Sequence, residues 1–294
     1  MENASELASL IARNAPLDGT FETAIPRVGL VRSSAVTQPV HTLYEPSFCL
    51  VARGRKRATV GGHAHVYDSS NYLVVGVDLP IIGAVIEANP EEPFLCVRLL
   101  LDRELLAGLL LDHPVEPDAA GLSTVGLGQA TPELMDAAVR LLRLLDAPED
   151  IGALAPMAER EILYRLLKGS QSRILRQIAN GESRLSKVAR ALSFMRSNYR
   201  EAFAIEDLAA IAGMSPSSFY EHFRSATTMS PLQFRTHIRL QEARRLMMLD
   251  GISAAEAGFR VGYDSPSQFS RDYTRIFSAP PKRDIARLQV QAGV

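Results

Sequence analysis

The feature that most constrains the fold of this chain is a pattern that occurs twice in its last third. From a Ser-Pro pair onward the two copies are 50 residues apart, as in Ser215/Ser265, Phe219/Phe269, Phe223/Tyr273 and Pro231/Pro281. Shortly before each Ser-Pro pair stands a glycine, which can end a helix in the left-handed conformation without steric cost. The serine can cap the next helix, and proline fits its first turn. The pattern predicts two helix–turn–helix motifs.

A long helix is predicted to join the two motifs. Ser230-Pro231-Leu232-Gln233 is a capping box with proline in the first turn, and the helix that it opens extends to about Leu249. At 1.5 Å per residue, this helix spans roughly 28 Å. That length approaches the ~34–36 Å between successive major-groove faces of DNA, so one chain could place two helices in adjacent grooves. The repeat therefore predicts DNA binding.

The two predicted recognition helices carry different outward side chains. Their aromatic residues four apart face the core. The residues left on the outer faces are Ser217, Ser218, Tyr220, Glu221 and Arg224 in the first copy and Ser267, Gln268, Arg271 and Asp272 in the second. Arg271 suits a bidentate contact to guanine, and Gln268 suits one to adenine, whereas the first helix is poor in such groups. We therefore expect the two helices to read DNA unequally.

Basic residues near these helices are candidates for contacts to the DNA backbone. Arg224, Arg239 and Arg275 are predicted to contact phosphates. Residues 184–294 carry 16 Lys and Arg against 10 Asp and Glu, whereas residues 1–183 carry 16 against 23. A basic C-terminal third on an acidic body is typical of a DNA-binding domain joined to a domain with another task.

The rest of the composition limits the class of protein. The sequence contains no run of 18 or more apolar residues, so no membrane-spanning helix is predicted. The N-terminus also lacks the pattern of a secretory signal. A cytoplasmic protein without a membrane partner is therefore expected. Cys49 and Cys96 are too few for a disulfide framework and lack metal-site spacing. Each lies in an apolar, strand-like run. Each is interpreted as a small buried hydrophobe, with a redox- or electrophile-sensing thiol as the alternative.

Short strands are predicted between residues 28 and 101. Residues 1–25 show no clear periodicity and are predicted to form an arm. The predicted strands are Val28–Ser33, Ser47–Arg53, Arg55–Val60, His63–Tyr67, Asn71–Val77, Ile81–Ala88 and Phe94–Leu101. Short strands at this spacing, separated by Gly, Pro, Asn and Asp, indicate a sandwich or small barrel. A barrel of about eight strands can hold one small ligand.

Three groups of residues in this region are candidates for chemistry. His63 and His65 share one strand face, with His41 upstream, and are either metal ligands or exposed histidines of a hairpin. A basic cluster is either a solvated loop or a phosphate or interdomain contact; it comprises Arg53, Arg55, Lys56 and Arg57. Arg98 interrupts an apolar strand, so it needs either an internal acidic partner or an anionic effector.

Amphipathic helices are predicted between the strands and the repeat. Thr131-Pro132-Glu133 begins one helix, and a second spans about Ala155–Leu167. Their apolar stripes are either core or a dimer interface. Gly181-Glu182-Ser183 is interpreted as a linker. The expected domains are residues 1–125, 126–183 and 184–294.

The repeat also carries a specific resemblance. Residues 187–288 resemble the DNA-binding domain of the AraC/XylS family of bacterial transcription regulators, above all in Val261-Gly262-Tyr263-Asp264-Ser265-Pro266 and its continuation to Pro281. The stretch from Met229 to Phe234 matches as well. The run from His41 to Val51, together with Tyr72-Leu73-Val74-Val75, is similar to a barrel-type N-terminal domain of that family. Two features depart from the family pattern: Thr228 stands where glycine is usual, and His63 and His65 lie outside it.

The resemblance implies an α+β multidomain protein. It implies a cupin-like β-barrel with helices for effector binding or dimerisation, followed by an all-α domain of two helix–turn–helix motifs. Double-stranded DNA, RNA polymerase, a small-molecule effector and a second copy of the chain are the implied partners. Tyr44, Phe48 and Arg98 are the candidate effector-binding residues.

The sequence thus predicts a DNA-binding transcription regulator controlled by a small-molecule or electrophile signal, with no enzymatic activity and no cofactor. One alternative is a metal-dependent cupin-type enzyme fused to a DNA-binding module. Another is a dimeric regulator without a ligand.

Overall fold

The structure is a computed structural model, and it describes residues 2–113 and 122–292. The chain forms two compact units. One comprises Met1–Val40 and Tyr44–Ser186, and the other comprises His41–Leu43 and Lys187–Val294. The helices predicted as a separate middle domain therefore belong to the first unit.

Two sheets form the framework of the N-terminal unit. Within the described residues the strands are β1 (Gly19–Glu22), β2 (Val28–Ser33), β3 (Val40–Tyr44), β4 (Ser47–Arg53), β5 (Arg55–Val60), β6 (His63–Tyr67), β7 (Asn71–Val75), β8 (Leu79–Glu87), β9 (Phe94–Leu100) and β10 (Val125–Gln129). One sheet has the order β1-β2-β9-β4-β7-β10, and the other has the order β3-β8-β5-β6. This confirms the predicted β-rich N-terminal domain, whose two sheets enclose a shared interior.

Strand alternation divides the side chains of the larger sheet between two faces. Cys49 lies directly opposite Arg98, and Val51 lies opposite Cys96, so these side chains share one face. Phe48 lies on the other face, where its ring is 5.4 Å from that of Tyr72. The first face is directed into the barrel, and the second packs against helices.

Helices cover the outer face of this sheet. They are α1 (Glu2–Asn14), α2 (Arg103–Asp112), α3 (Pro132–Arg143), α4 (Ile151–Lys168) and α5 (Ser172–Ala179). Thr131 caps α3 as predicted, since its hydroxyl accepts a hydrogen bond from the Leu134 N–H. The apolar stripe of α4 is mostly core, because Ile162, Leu163 and Leu166 are buried.

The prediction of an irregular N-terminal arm was wrong. Helix α1 buries Leu7, Leu10 and Ile11, which recur at the spacing of one helix face. Glu6 accepts two hydrogen bonds from Arg143 of α3, at 2.7 and 2.9 Å. The apolar spacing was present in the sequence, but tertiary packing on α3 makes so short a helix stable.

The second unit is helical. Within the described residues its helices are α6 (Arg184–Ser197), α7 (Ile205–Ala212), α8 (Pro216–Thr227), α9 (Pro231–Leu249), α10 (Ala254–Arg260), α11 (Pro266–Phe277) and α12 (Pro281–Ala292). This confirms the predicted all-α region with two helix–turn–helix motifs. Among the residues described, no helix is both long enough and apolar enough to cross a membrane.

Candidate nucleic-acid interface

The first helix–turn–helix motif consists of α7 and α8. Gly213 ends α7 in the left-handed region, with φ 65° and ψ 44°. After this turn, the Ser215 hydroxyl accepts a hydrogen bond from the Ser218 N–H at 3.4 Å and caps α8. Phe219 and Phe223 are fully buried, and the Phe223 ring lies 5.7 Å from that of Phe234 on α9. The core thus fixes which face of α8 is left outward.

The second motif, α10 and α11, is built in the same way. Gly262 adopts a positive φ of 88° in its turn, and Ser265 caps α11. Gly258 lies against the ring of Phe269, and a Cβ at Gly258 would stand 2.9 Å from the Cγ of that ring. Glycine is therefore required for the close approach of α10 and α11, whereas the equivalent position in the first motif is Ala209.

Helix α9 joins the motifs, and its first turn forms the predicted capping box. The Gln233 N–H donates to Ser230 Oγ at 3.2 Å, and the Ser230 N–H donates to Gln233 Oε1 at 2.8 Å. Arg239 on α9 does not have the predicted freedom to contact phosphate. Its guanidinium donates hydrogen bonds to the carbonyl oxygens of Tyr199, Gly262 and Arg200 at 2.7 to 2.9 Å. The side chain therefore stabilises the fold of this unit.

The outer face of α8 carries little positive charge. Ser217, Tyr220, Glu221 and Arg224 are exposed, and Ser218 is half-buried. Within the described part of the chain, the Arg224 side chain has no hydrogen-bond or ion-pair partner. Arg224 is therefore the one cation that this helix offers to a ligand, beside an acidic neighbour.

The outer face of α11 carries more side chains that can bind a ligand than the outer face of α8 does. Ser267, Gln268 and Arg271 are exposed, and across residues 2–113 and 122–292 neither Gln268 nor Arg271 has a side-chain partner. Ser265 caps this helix, since its Oγ accepts a hydrogen bond from the Gln268 N–H at 3.4 Å, and within the described residues the Gln268 side-chain amide has no partner. The side chains of Gln268 and Arg271, both suited to hydrogen bonds with base edges, therefore lie on one helix face without a partner among the described residues.

Asp272 and Arg275 are engaged with each other. Arg275 Nη2 lies 2.8 Å from Asp272 Oδ1, and Tyr263 donates to the other carboxylate oxygen at 3.4 Å. Asp272 is half-buried, so it points less outward than its position in the repeat suggests. Arg275 keeps 69% of its side-chain surface exposed and can still approach a phosphate.

A buried polar network anchors α11. The Tyr273 hydroxyl donates to Asp284 Oδ2 at 2.8 Å, and Arg244 of α9 donates to both oxygens of the same carboxylate at 2.8 and 3.0 Å. Asp284 is fully buried, and Arg287 also binds it, at 2.7 Å. The equivalent of Tyr273 in α8 is Phe223, which has no hydroxyl. This network was not predicted from the sequence, although the repeat has a tyrosine, Tyr273, where its first copy has Phe223, and that difference indicates an added hydroxyl.

A groove of about 670 Å³ separates the start of α9 from α11. Its lining includes Arg235, His237, Gln268 and Arg275. Burial is the largest cause that lowers the pKa of His237, to about 4, so this side chain is neutral near pH 7. The groove is lined by arginine cations and contains one of the candidate base-reading side chains at its edge.

Thr228 occupies the left-handed position where the resemblance led us to expect glycine. It has φ 61° and ψ 10°, so the backbone keeps the turn in spite of the β-branched side chain. Ser278, 50 residues later, adopts the same region with φ 56° and ψ 18°. Both recognition helices therefore end at a non-glycine residue in a conformation that disfavours Cβ.

The structure separates the candidate effector-binding residues. Tyr44 is half-buried, and the Lys56 ammonium lies 5.5 Å from its ring centre. Phe48 packs on Tyr72 on the helix-covered face, which keeps it out of the barrel interior. Arg98 forms an ion pair with Glu22 of β1. An internal partner, rather than an anionic effector, therefore balances the charge of Arg98.

The remaining candidates of the N-terminal unit also have defined positions. His63 is exposed and His65 half-buried on β6, after the turn at Gly61 and Gly62. Among the described residues, no three His, Cys, Asp or Glu side chains are grouped as metal ligands. In the basic cluster, Arg55 and Arg57 are exposed, but strand alternation turns Lys56 inward. The interpretation of Lys56 as part of a solvated loop was wrong.

Comparison with known proteins agrees with both units. Residues 24–174 match the family described as the AraC-type transcriptional regulator N-terminus, and residues 208–287 match a helix-turn-helix domain family. The lactose operon transcription activator of Staphylococcus xylosus is 28% identical over 90 residues, which are 31% of this chain and 32% of that protein. The transcriptional activator RhaS of Klebsiella pneumoniae is 26% identical over 131 residues, 44% and 46% of the two chains. The chain thus spans less than half of the length of these relatives.

A solved structure shares the fold across both units. ToxT from Vibrio cholerae O395, bound to (E)-4-(8-methylnaphthalen-1-yl)but-3-enoic acid, aligns with a TM-score of 0.62. The alignment covers 88% of this chain and 97% of ToxT at 13% identity. At this identity the likeness is one of fold.

Proposed function

The chain belongs to the AraC-type transcriptional regulators, and from that premise we propose that it binds specific promoter DNA through α8 and α11 and regulates transcription in the cytoplasm. The observation that carries this proposal is the pair of exposed recognition helices held by one rigid connecting helix. Each helix begins at a Ser-Pro cap and is fixed by buried aromatic residues. The proposal includes no enzymatic step.

Base recognition is assigned mainly to α11. The Arg271 guanidinium can donate two hydrogen bonds to the major-groove edge of guanine, and the Gln268 amide can pair with adenine. Both side chains are exposed and have no competing partner among the described residues. Ser217, Ser218, Tyr220 and Glu221 on α8, with Ser267 and Asp272 on α11, complete the proposed contact surface.

Backbone contacts position the two helices on the duplex. Arg224 at the end of α8 and Arg275 on α11 are assigned to phosphates, since both are exposed arginines outside the first turn of their helices. Such contacts supply affinity without sequence preference and weaken as salt rises. The proposal therefore assigns affinity to both halves and specificity chiefly to the second.

The decisive experiment measures Arg271→Ala on DNA fragments selected by the wild-type protein. We expect a loss of about 1–3 kcal/mol on the specific site and little loss on random DNA. Arg245→Ala is the matched control, because Arg245 is an exposed arginine of the same unit already paired with Glu242. An equal loss on specific and random DNA would assign Arg271 to a phosphate, and failure to select any sequence would end the proposal.

We infer that the regulator is a homodimer. Most of the apolar stripe of α4 is core, but Leu154 and Met157, three residues apart, stay 44% and 68% exposed. Two such side chains on one helix face suit contact with a second copy. Sedimentation should show Met157→Glu shifted toward monomer, while Glu149→Gln keeps the wild-type state. An unchanged dimer in the Met157 variant would move the interface elsewhere.

The N-terminal unit is assigned the receipt of a signal. Its interior holds polar groups that a barrel needed only for stability would not require, among them Tyr44 and Lys56. A small molecule that binds there must raise the melting temperature, since a ligand that prefers the native state stabilises it. Contact with RNA polymerase, which the family resemblance implies, completes the proposed regulatory role.

A further inference from the structure

The interior of the barrel brings two cysteines together on neighbouring strands. Cys49 of β4 lies opposite Arg98 of β9, and Val51 lies opposite Cys96, so the two cysteines occupy diagonal positions on one sheet face. Both are buried, with 4% and 3% of their surfaces exposed. The Cys96 thiol donates a hydrogen bond to the carbonyl oxygen of Val97 at 3.5 Å. The burial predicted for both cysteines is confirmed, and each also has the other as its diagonal neighbour.

A half-buried lysine faces this pair from the other sheet. The Lys56 ammonium lies inside the barrel, 5.5 Å from the ring centre of Tyr44 and 5.9 Å from that of Phe94. Gly83 of β8 lies beside it, since a Cβ at Gly83 would be in van der Waals contact with Lys56 Cε at 3.4 Å. Among the described residues, no carboxylate forms an ion pair with Lys56. An ammonium that is partly removed from water and has no carboxylate partner favours an anion nearby.

The two thiols are electrostatically unequal. The neighbouring Cys96 thiol is the largest cause that lowers the pKa of Cys49, and Lys56 and Arg98 lower it further, against the opposite effect of burial. The neighbouring Cys49 and burial raise the pKa of Cys96 well above its ordinary value. Burial disfavours the charged form of Lys56, but Tyr44 and both cysteines outweigh that effect and raise its pKa, so the ammonium stays charged. Cys49 is the thiol that the site can hold as thiolate.

We propose that Cys49 and Cys96 form a redox-active dithiol that reacts with small hydroperoxides, with Lys56 as the residue that stabilises the Cys49 thiolate. Thiolates beside lysine or arginine are the reactive form of cysteine. Tyr44, Lys56 and Arg98 are each half-buried, so the cluster reaches solvent on that side, and the proposal places the entry of a small oxidant there.

The reaction is a two-electron oxidation of the pair. The Cys49 thiolate attacks one peroxide oxygen, so an S–O bond forms while the O–O bond breaks, and the departing oxygen leaves as water or alcohol after protonation. The Cys96 sulfur then attacks the sulfenic sulfur of Cys49. An S–S bond forms, the S–O bond breaks, and the hydroxyl leaves as water with the Cys96 proton. Two thiols and one hydroperoxide give one disulfide, one alcohol or water, and one water.

Closing this disulfide must move the sheet. Diagonal neighbours on antiparallel strands have Cα atoms about 7–8 Å apart, whereas a disulfide spans roughly 4.4–6.8 Å between Cα atoms. Strands β4 and β9 must therefore approach by about 1 Å on oxidation. The pairing of β4 with β9 already shifts register between Val51 and Arg53, next to the site. Oxidation of the two cysteines would therefore change the distance between β4 and β9.

Intact-protein mass spectrometry of the native full chain tests the proposal. After hydrogen peroxide treatment we expect a loss of two hydrogens and a Cys49–Cys96 cross-linked peptide. In Cys96→Ser, Cys49 should instead stop at the sulfenic acid, which dimedone traps, whereas Cys49→Ser should remain unmodified. A wild-type chain that oxidises no faster than the denatured chain, or that accumulates sulfenic acid without the cross-link, would overturn the dithiol.

The role of Lys56 is tested with a separate set of matched variants. Lys56→Met should slow native-state oxidation about tenfold, which corresponds to about one pKa unit at the thiol. Lys56→Arg should keep most of the rate because it keeps the charge, and Arg57→Met on the outward face should oxidise as the wild type does. Equal rates in Lys56→Met and wild type would remove Lys56 from the site. The mass readout does not depend on DNA binding, so failure of this proposal and failure of the regulatory one are distinguishable.

Discussion

The two helix–turn–helix halves of the C-terminal unit have the same backbone structure. They differ in the contacts that stabilise them and in the side chains on their outer faces. Both use a left-handed glycine, a Ser-Pro cap and two buried aromatic residues four apart. The first half is held by apolar contacts of Phe219, Phe223 and Phe234. The second half adds a buried carboxylate, Asp284, that binds Tyr273 and Arg244.

The difference indicates how a duplicated motif can divide its tasks. A hydrogen-bonded network with defined directions fixes the orientation of α11 more strictly than apolar packing fixes that of α8. Helix α11 also carries Gln268 and Arg271, for which bidentate base contacts are proposed, and such contacts demand accurate placement. The network and the proposed base-reading side chains therefore occur in the same half.

The largest expected effect comes from removing the centre of the network. Asp284→Ala leaves Arg244, which is 6% exposed, as an unpaired buried cation, and we expect a loss of about 3–5 kcal/mol of unfolding free energy. Chemical denaturation measures the loss, and hydrogen exchange should rise in α11 before α8. Glu221→Ala, which removes an exposed carboxylate from α8, is the control and should change little. Equal exchange in both helices would mean that the halves are equally anchored.

Acid should weaken the side of the unit that contains the groove. Burial lowers the pKa of His237 to about 4 in the folded protein, and its Nδ1 is buried without a partner among the described residues. The unfolded chain therefore binds the proton more readily, so stability falls as the pH drops from about 6.5 to about 4, by up to about 3 kcal/mol. Urea unfolding at several pH values should show this slope reduced in His237→Gln. An identical slope in the variant would contradict the assignment.

Substitutions at the helix contact within each motif should have effects of intermediate size on the unfolding free energy. Gly258→Ala forces a Cβ to within 2.9 Å of Phe269, and overpacking of this kind costs about 1–3 kcal/mol. The reciprocal change in the first motif, Ala209→Gly, should cost only about 1 kcal/mol, mainly through helix propensity. Thermal unfolding of both variants provides the comparison. A harmless Gly258→Ala would show that α10 and α11 can separate without cost.

The smallest effect is a gain in stability. Thr228→Gly relieves a β-branched residue in the left-handed region, and the unfolding free energy should rise by about 1 kcal/mol. Ser278→Gly should gain less, since serine is not β-branched. Melting temperatures of the two variants and their combination test this order. A loss of stability in Thr228→Gly would mean that contacts of the Thr228 side chain outweigh the backbone strain.

Local signals were sufficient to predict most elements. The predicted bounds of β2, β4, β5 and β6 agree with the structure, and α9 begins at Pro231 and ends at Leu249 as expected. Alternation, helix caps and turn glycines depend on neighbouring residues, which a sequence displays directly. Strands β1, β3 and β10 were not predicted: β1 has only four residues, and β3 and β10 pair with β8 and β7, which are not their neighbours along the chain.

The repeat, its two caps and the two sets of outward side chains could all be predicted from the sequence, since helical periodicity assigns each residue to a face. The folded structure was needed to show which polar side chains have hydrogen-bond partners within the protein. Arg239 donates to three carbonyls, whereas Arg271 donates to none among the described residues, although both are arginines on predicted helices of one unit. Likewise, the structure placed Lys56 opposite the Cys49–Cys96 pair. Hydrogen bonds and buried charges depend on residues brought together by folding, and sequence spacing does not encode those distances.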